Sequence, residues 1–140
     1  MTSKRWITCG AIIGAIGVAI GAFGAHLLPA FLEKAGYTAD QTPEVLATFH
    51  TATTYHLFHA PMIVLVGLLL SQGRHRALQL AGWAFLFGIL LFSGVLYAWI
   101  LTHQEPPWLV HFVPLGGTLL IVGWLAVAAA FCCRGDEDAG

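Results

Sequence analysis

The chain has 140 residues, of which 58% are hydrophobic and 9% charged, with a mean hydropathy of +0.79 and a formal net charge of −1. Soluble domains carry roughly 25% charged residues, so a soluble globular fold is excluded, as are a disordered chain and a coiled coil. Near-neutral charge without a basic face excludes a nucleic-acid partner.

The charges leave four long gaps: 27 residues between Arg5 and Glu33, 29 between Glu44 and Arg74, 28 between Arg76 and Glu105, and 28 between Glu105 and Arg134. A hydrocarbon core of about 30 Å needs about 20 helical residues, which each gap can supply. The expectation is an all-α integral membrane four-helix bundle, a single domain over 1–140 with helices at about 6–28, 43–71, 77–101 and 112–133.

In the first span Gly10, Gly14, Gly17, Gly21 and Gly24 are spaced four, three, four and three apart. A seven-residue repeat drifts only about 20° per heptad, so the five share a seam, and small residues let membrane helices approach closely. This span is expected to lie against a neighbour along its length. Lys4-Arg5 ahead of an apolar run also suits a cleaved secretory signal, but the run exceeds the usual h-region of about 7–15 residues, so retention is expected.

Pro29 suits the end of the first helix, and Glu33 to Glu44 forms the one sizeable loop. Thr42 is the expected N-cap of the second span, with Pro43 at the first helical position. Thr48, Thr51, Ala52, Tyr55 and His59 recur there as a stripe expected to face protein, while Pro61 should free the Leu57 carbonyl and kink the helix. The third span contributes Ser93 and Tyr97, one turn apart. The fourth contributes Pro114, the pair Gly116 and Gly117, and Gly123-Trp124. Trp6 and Trp108 suit interfacial belts.

Lys4, Arg5, Arg74, Arg76 and Arg134 fall at the termini and the middle turn, against Lys34 alone in the other loops, which predicts cytoplasmic termini. Cys9, Cys132 and Cys133 then lie near a reducing face, where no structural disulfide is expected.

Apart from Glu44 in the first turn of the second, no Asp, Glu, Lys or Arg lies inside a span, so charge-coupled transport lacks its usual groups. Histidine remains: His26, His50, His56, His59, His103 and His111 map to the outer half, and only His75 to the inner turn. His56 and His59, three apart on one helix, could approach one ion together with His26 and His111, as neutral imidazoles do for zinc, copper or haem iron. Three readings follow. The leading one is a non-enzymatic membrane component or accessory subunit without a cofactor, packed in the lipid bilayer against other helices of a homo-oligomer or larger membrane complex. The others are a metal- or haem-binding protein using those histidines, and a small-solute or proton pathway within an oligomer.

Four ordered motifs, Gly21-Ala-Phe-Gly-Ala-His26-Leu, the stretch from Phe49 to Ala60, Phe92-Ser-Gly-Val-Leu-Tyr97, and Pro114-Leu-Gly-Gly117 with Gly123-Trp124, resemble those of a small membrane family called domain of unknown function 423. Its animal relatives are called transmembrane protein 256, and the resemblance covers about residues 10–128. It implies a four-helix protein of the inner membrane in bacteria or mitochondria. It also carries the family's polar residues onto His26, Thr51, Tyr55, His59, Ser93, Tyr97 and Pro114, a cluster expected in the outer half. Val95, Pro61 and Val113 depart from the family's usual Ser, Leu and Thr.

Overall fold

The computed structural model describes residues 1–73, 76–104 and 106–132; the expectations for Arg74, His75, Glu105, Cys133 and Arg134 fall outside these. Helices α1 (Ser3–His26), α2 (Leu28–Lys34), α3 (Thr42–Ser71), α4 (Arg76–Ile89), α5 (Val95–Leu101) and α6 (Val113–Cys132) follow in order. A π-helical turn, Leu90–Gly94, joins α4 to α5, and a 3-10 turn, Pro107–Phe112, leads into α6. Four stretches are long and apolar enough to cross a membrane: Ser3–His26, Thr42–Ser71, Arg76–Leu101 and Pro107–Cys132.

Several boundaries differ from the sequence expectation. The first helix starts at Ser3, with the Thr2 hydroxyl capping the Arg5 amide, and ends at His26. The stretch after the first helix is the short helix α2, which reaches into the anticipated loop only at Glu33 and Lys34 and has a proline in its first turn, where a missing N–H costs nothing. Thr42 lies inside α3, not at its cap, and donates its hydroxyl to the Thr38 carbonyl at 2.9 Å. Trp6 is no interfacial anchor: it is fully buried, its indole N–H donates to Gln79 at 3.0 Å, and its ring covers Gly82. Trp108 is 58% exposed, as an interfacial residue should be.

α3 is the hub, packing on α1 along one flank and on α4, the π turn and α5 along another, while α6 packs on α4 and the π turn. In lipid these contacts depend on close packing, because the tails outside are as apolar as the core. A Cβ at Gly10 would stand 2.7 Å from the Val64 amide nitrogen, and one at Gly67 2.8 Å from that of Ile7, so α1 and α3 touch backbone to backbone. Gly17 lies under Leu57 and His56, and Gly24 under the Phe49 ring. Gly14 and Gly21 have ordinary room, so the tight positions of the seam are every seventh residue. On the other side a Cβ at Gly116 would run into the Phe92 amide nitrogen and stand 2.7 Å from the Leu91 carbonyl carbon, whereas Gly117 has space.

Two apolar clusters result. One, around Trp6, Ile63, Val66, Phe85 and Leu120, fills the half of the bundle at the N-terminal end. The other, around Leu28, Leu32, Val45, Phe49 and Ile100, lies under α2, where the Tyr37 hydroxyl donates to the Ile100 carbonyl at 2.8 Å. The buried polar side chains among the described residues are His56 and His59 of α3 and Ser93 of the π turn.

Candidate functional site

His56, His59 and Ser93 are the buried polar residues among those described. His59 rises from α3 toward α6. Its Nδ1 lies 2.7 Å from the Tyr55 carbonyl, and its Nε2 lies 3.3 Å from the Trp124 indole nitrogen. A carbonyl can only accept and an indole N–H can only donate, so the ring carries its proton on Nδ1 and accepts on Nε2. Both nitrogens are thereby used. Tyr55, Phe58, Phe85 and Trp124 surround the ring at centroid distances of 5.3 to 6.4 Å.

His56 faces the opposite flank. Its Nε2 donates to the Ile13 carbonyl of α1 at 3.0 Å, over the place left open by Gly17. That tautomer leaves Nδ1 as an acceptor, and this buried atom has no partner among the described residues. The Leu57 carbonyl that Pro61 was expected to free is used by neither ring, and α3 runs on as helix through Pro61, whose side is exposed.

Tyr97 of α5 donates to the Thr53 hydroxyl at 3.3 Å, and its ring packs 5.3 Å from Phe49 and 6.2 Å from His56. Ser93 sits one turn earlier in the π segment, fully buried, its hydroxyl also without a partner. Since α3 and α5 run antiparallel, one turn back from Tyr97 and one turn on from Thr53 bring Ser93 to the level of His56. The middle of the bundle thus holds one saturated imidazole and, nearby, an unpaired acceptor and an unpaired hydroxyl.

The expected residues divide between the two flanks. Tyr55 stacks on His59 at 5.8 Å and on Phe92 at 4.5 Å while 41% exposed, whereas Tyr97 packs on His56 and Phe49, with Ser93 one turn earlier on its own span. His26 is exposed at the end of α1, Thr51 faces outward with its hydroxyl on the Ala47 carbonyl, and Pro114 is exposed at the start of α6. The residue in the place intended for Thr51 is Thr53, two positions on. The four candidate metal ligands do not gather: His111 is exposed in the 3-10 turn, its Nδ1 3.1 Å from the Trp108 carbonyl, and no group of three potential ligands exists among the described residues. Sequence reasoning also missed Trp124 as the partner of His59 and Gln79 as the partner of Trp6; neither has a spacing signal, since each pairing joins distant helices.

The family model described as "Protein of unknown function (DUF423)" matches residues 20–117. A UPF0382 membrane protein of Staphylococcus epidermidis is 34% identical over 127 residues, covering 91% of this chain and 94% of the relative. A UPF0382 membrane protein of Haemophilus influenzae is 35% identical, covering 89% of this chain and 91% of its own. The UPF0382 membrane protein YwdK of Bacillus subtilis is 34% identical, covering 91% and 95%. No solved structure matches.

Proposed function

The chain belongs to the DUF423 family and is a multi-pass protein of the cell membrane, and from that premise we propose that it is a non-enzymatic component whose buried histidines join its helices instead of carrying chemistry. The observation that carries this reading is His59, with one nitrogen on the Tyr55 carbonyl and the other on the Trp124 indole. An imidazole so engaged has no lone pair to give a metal and no free site to relay a proton, and it spares the indole N–H an unpaired burial in hydrocarbon. The exposed outer face of α1 around Val18, which is 63% exposed, is the surface on which other helices of a homo-oligomer or larger complex would pack. Both termini face the cytoplasm in this reading.

Elemental analysis and thermal unfolding of the purified protein and of His59→Ala test it together. The expected result is no stoichiometric metal or haem in either, with a lower melting temperature in the variant. A bound metal that leaves with the imidazole would overturn it. For topology, Cys132, exposed at the end of α6, should react with an impermeant thiol reagent only after the cells are opened.

A further inference from the structure

α1 meets α4 at its N-terminal end, where Trp6 covers Gly82 and crosses Trp83 at 5.2 Å. Beyond that contact the two helices part and leave a half-open cavity of about 280 Å³, walled by Ile13, Ile16 and Ile20 of α1 and by Leu86 and Leu90, with His56 and Tyr97 at its back. The surface it presents is almost wholly apolar, and its volume suits part of a hydrocarbon chain, not another helix. Ile13 also walls a second concavity of about 500 Å³, which opens at the N-terminal end among Lys4, Arg5 and Thr8. The two meet at Ile13, so a groove running along α1 through both would be cationic at its mouth and apolar at its depth.

The charge at the mouth is uncompensated among the described residues. Lys4 and Arg5 are exposed, and the described carboxylates, Glu33, Asp40 and Glu44, all lie at the α2 end, a full span away. The dimensions agree with one leaflet. From Arg5 to Ile20 the helix advances about 22 Å, which takes a ligand from the headgroup zone past the middle of a hydrocarbon core about 30 Å thick.

We propose that this groove binds an anionic glycerophospholipid of the leaflet on the N-terminal side, its phosphate held by Lys4, Arg5 and the Thr8 hydroxyl and one acyl chain lying against Ile13, Ile16 and Leu86. Cations on a membrane face attract anionic headgroups generally; here the adjoining cavity adds a place for the tail, which makes the site selective for an intact lipid.

Native mass spectrometry of the detergent-purified full chain tests this, with phosphatidylglycerol and phosphatidylcholine of identical acyl chains as probes. The expected result is preferential retention of phosphatidylglycerol, falling about ten- to thirtyfold in Lys4→Gln/Arg5→Gln, as the loss of two surface cations implies. The charge-conserving pair Lys4→Arg/Arg5→Lys should retain it, and Leu86→Trp, which fills the cavity, should weaken both lipids. Melting temperatures confirm that each variant is folded. Equal retention of the two lipids, or no change in the Gln pair, would overturn the proposal. So would displacement of phosphatidylglycerol by an equal concentration of glycerol phosphate, because that would leave an anion site without a tail.

Discussion

The two flanks of α3 treat the same side chain differently. Toward α6, His59 is enclosed by aromatic rings and bonded at both nitrogens. Toward α1, His56 lies over a glycine, bonded at one nitrogen to a carbonyl that already has a helical partner. The α6 flank holds its polar group by necessity, since neither the imidazole Nε2 nor the Trp124 N–H has another partner among the described residues. The α1 flank is held by backbone proximity, to which the imidazole is an addition. An interhelical hydrogen bond in a membrane therefore contributes according to what its partners would lack without it.

The most severe test pairs two glycines. Gly116→Leu places its side chain against the backbone of Leu91 and Phe92, which cannot rotate aside, and should cost more than about 3 kcal/mol and abolish recovery of folded protein. Gly17→Leu meets the side chains of Leu57 and His56, which can move, and should remain recoverable with a reduced melting temperature. Equal yields in size-exclusion chromatography would remove the distinction between a glycine facing backbone and one facing movable side chains.

Next in size is His59→Ala against His56→Ala. The first leaves the Trp124 indole unpaired and should cost about 1–3 kcal/mol, whereas the second strands no donor and should cost about 0.5–1.5 kcal/mol. Thermal unfolding in detergent gives the order, and a reversed order would break the comparison. Within the α1 flank, Gly10→Ala should lose about 1 kcal/mol or more to its contacts with Val64 and Ala60, while Gly14→Ala should be neutral or gain about 0.5 kcal/mol. The smallest effect belongs to Tyr97→Phe. Thr53 keeps its own bond to the Phe49 carbonyl at 3.0 Å, so the loss should stay below about 1 kcal/mol by the same melt.

Much of this architecture is legible in the sequence because thirteen charges mark where the membrane cannot be. The close α1 contact was legible too, since Gly10, Gly17 and Gly24 repeat every seven residues; that Gly14 and Gly21 are slack depends on which residues α3 sets opposite them. The polar stripe misled for a physical reason. A helical threonine satisfies its hydroxyl on the carbonyl four residues back, as Thr48, Thr51 and Thr53 all do, so its polarity says nothing about which way it faces. Histidine at position 59 cannot satisfy its far nitrogen locally, which is why its inward orientation was readable while its partner was not. Trp6 was assigned to the interface by composition, and its burial depends on Gly82 and Gln79, more than 70 residues away in sequence.

The π turn at Leu90–Gly94 amounts to one extra residue threaded into an otherwise continuous rod, and it acts as a phase shifter. Each residue turns a helix by about 100°, so deleting one residue between Leu90 and Gly94 would restore an α-helical rod and swing everything beyond it by that angle. Tyr97 would then face away from Thr53, and Ile100 away from the Tyr37 hydroxyl. Among related chains, a single-residue gap at this place is accordingly a change of partners for the whole end of the third span, and it should coincide with substitutions at positions 37 and 53.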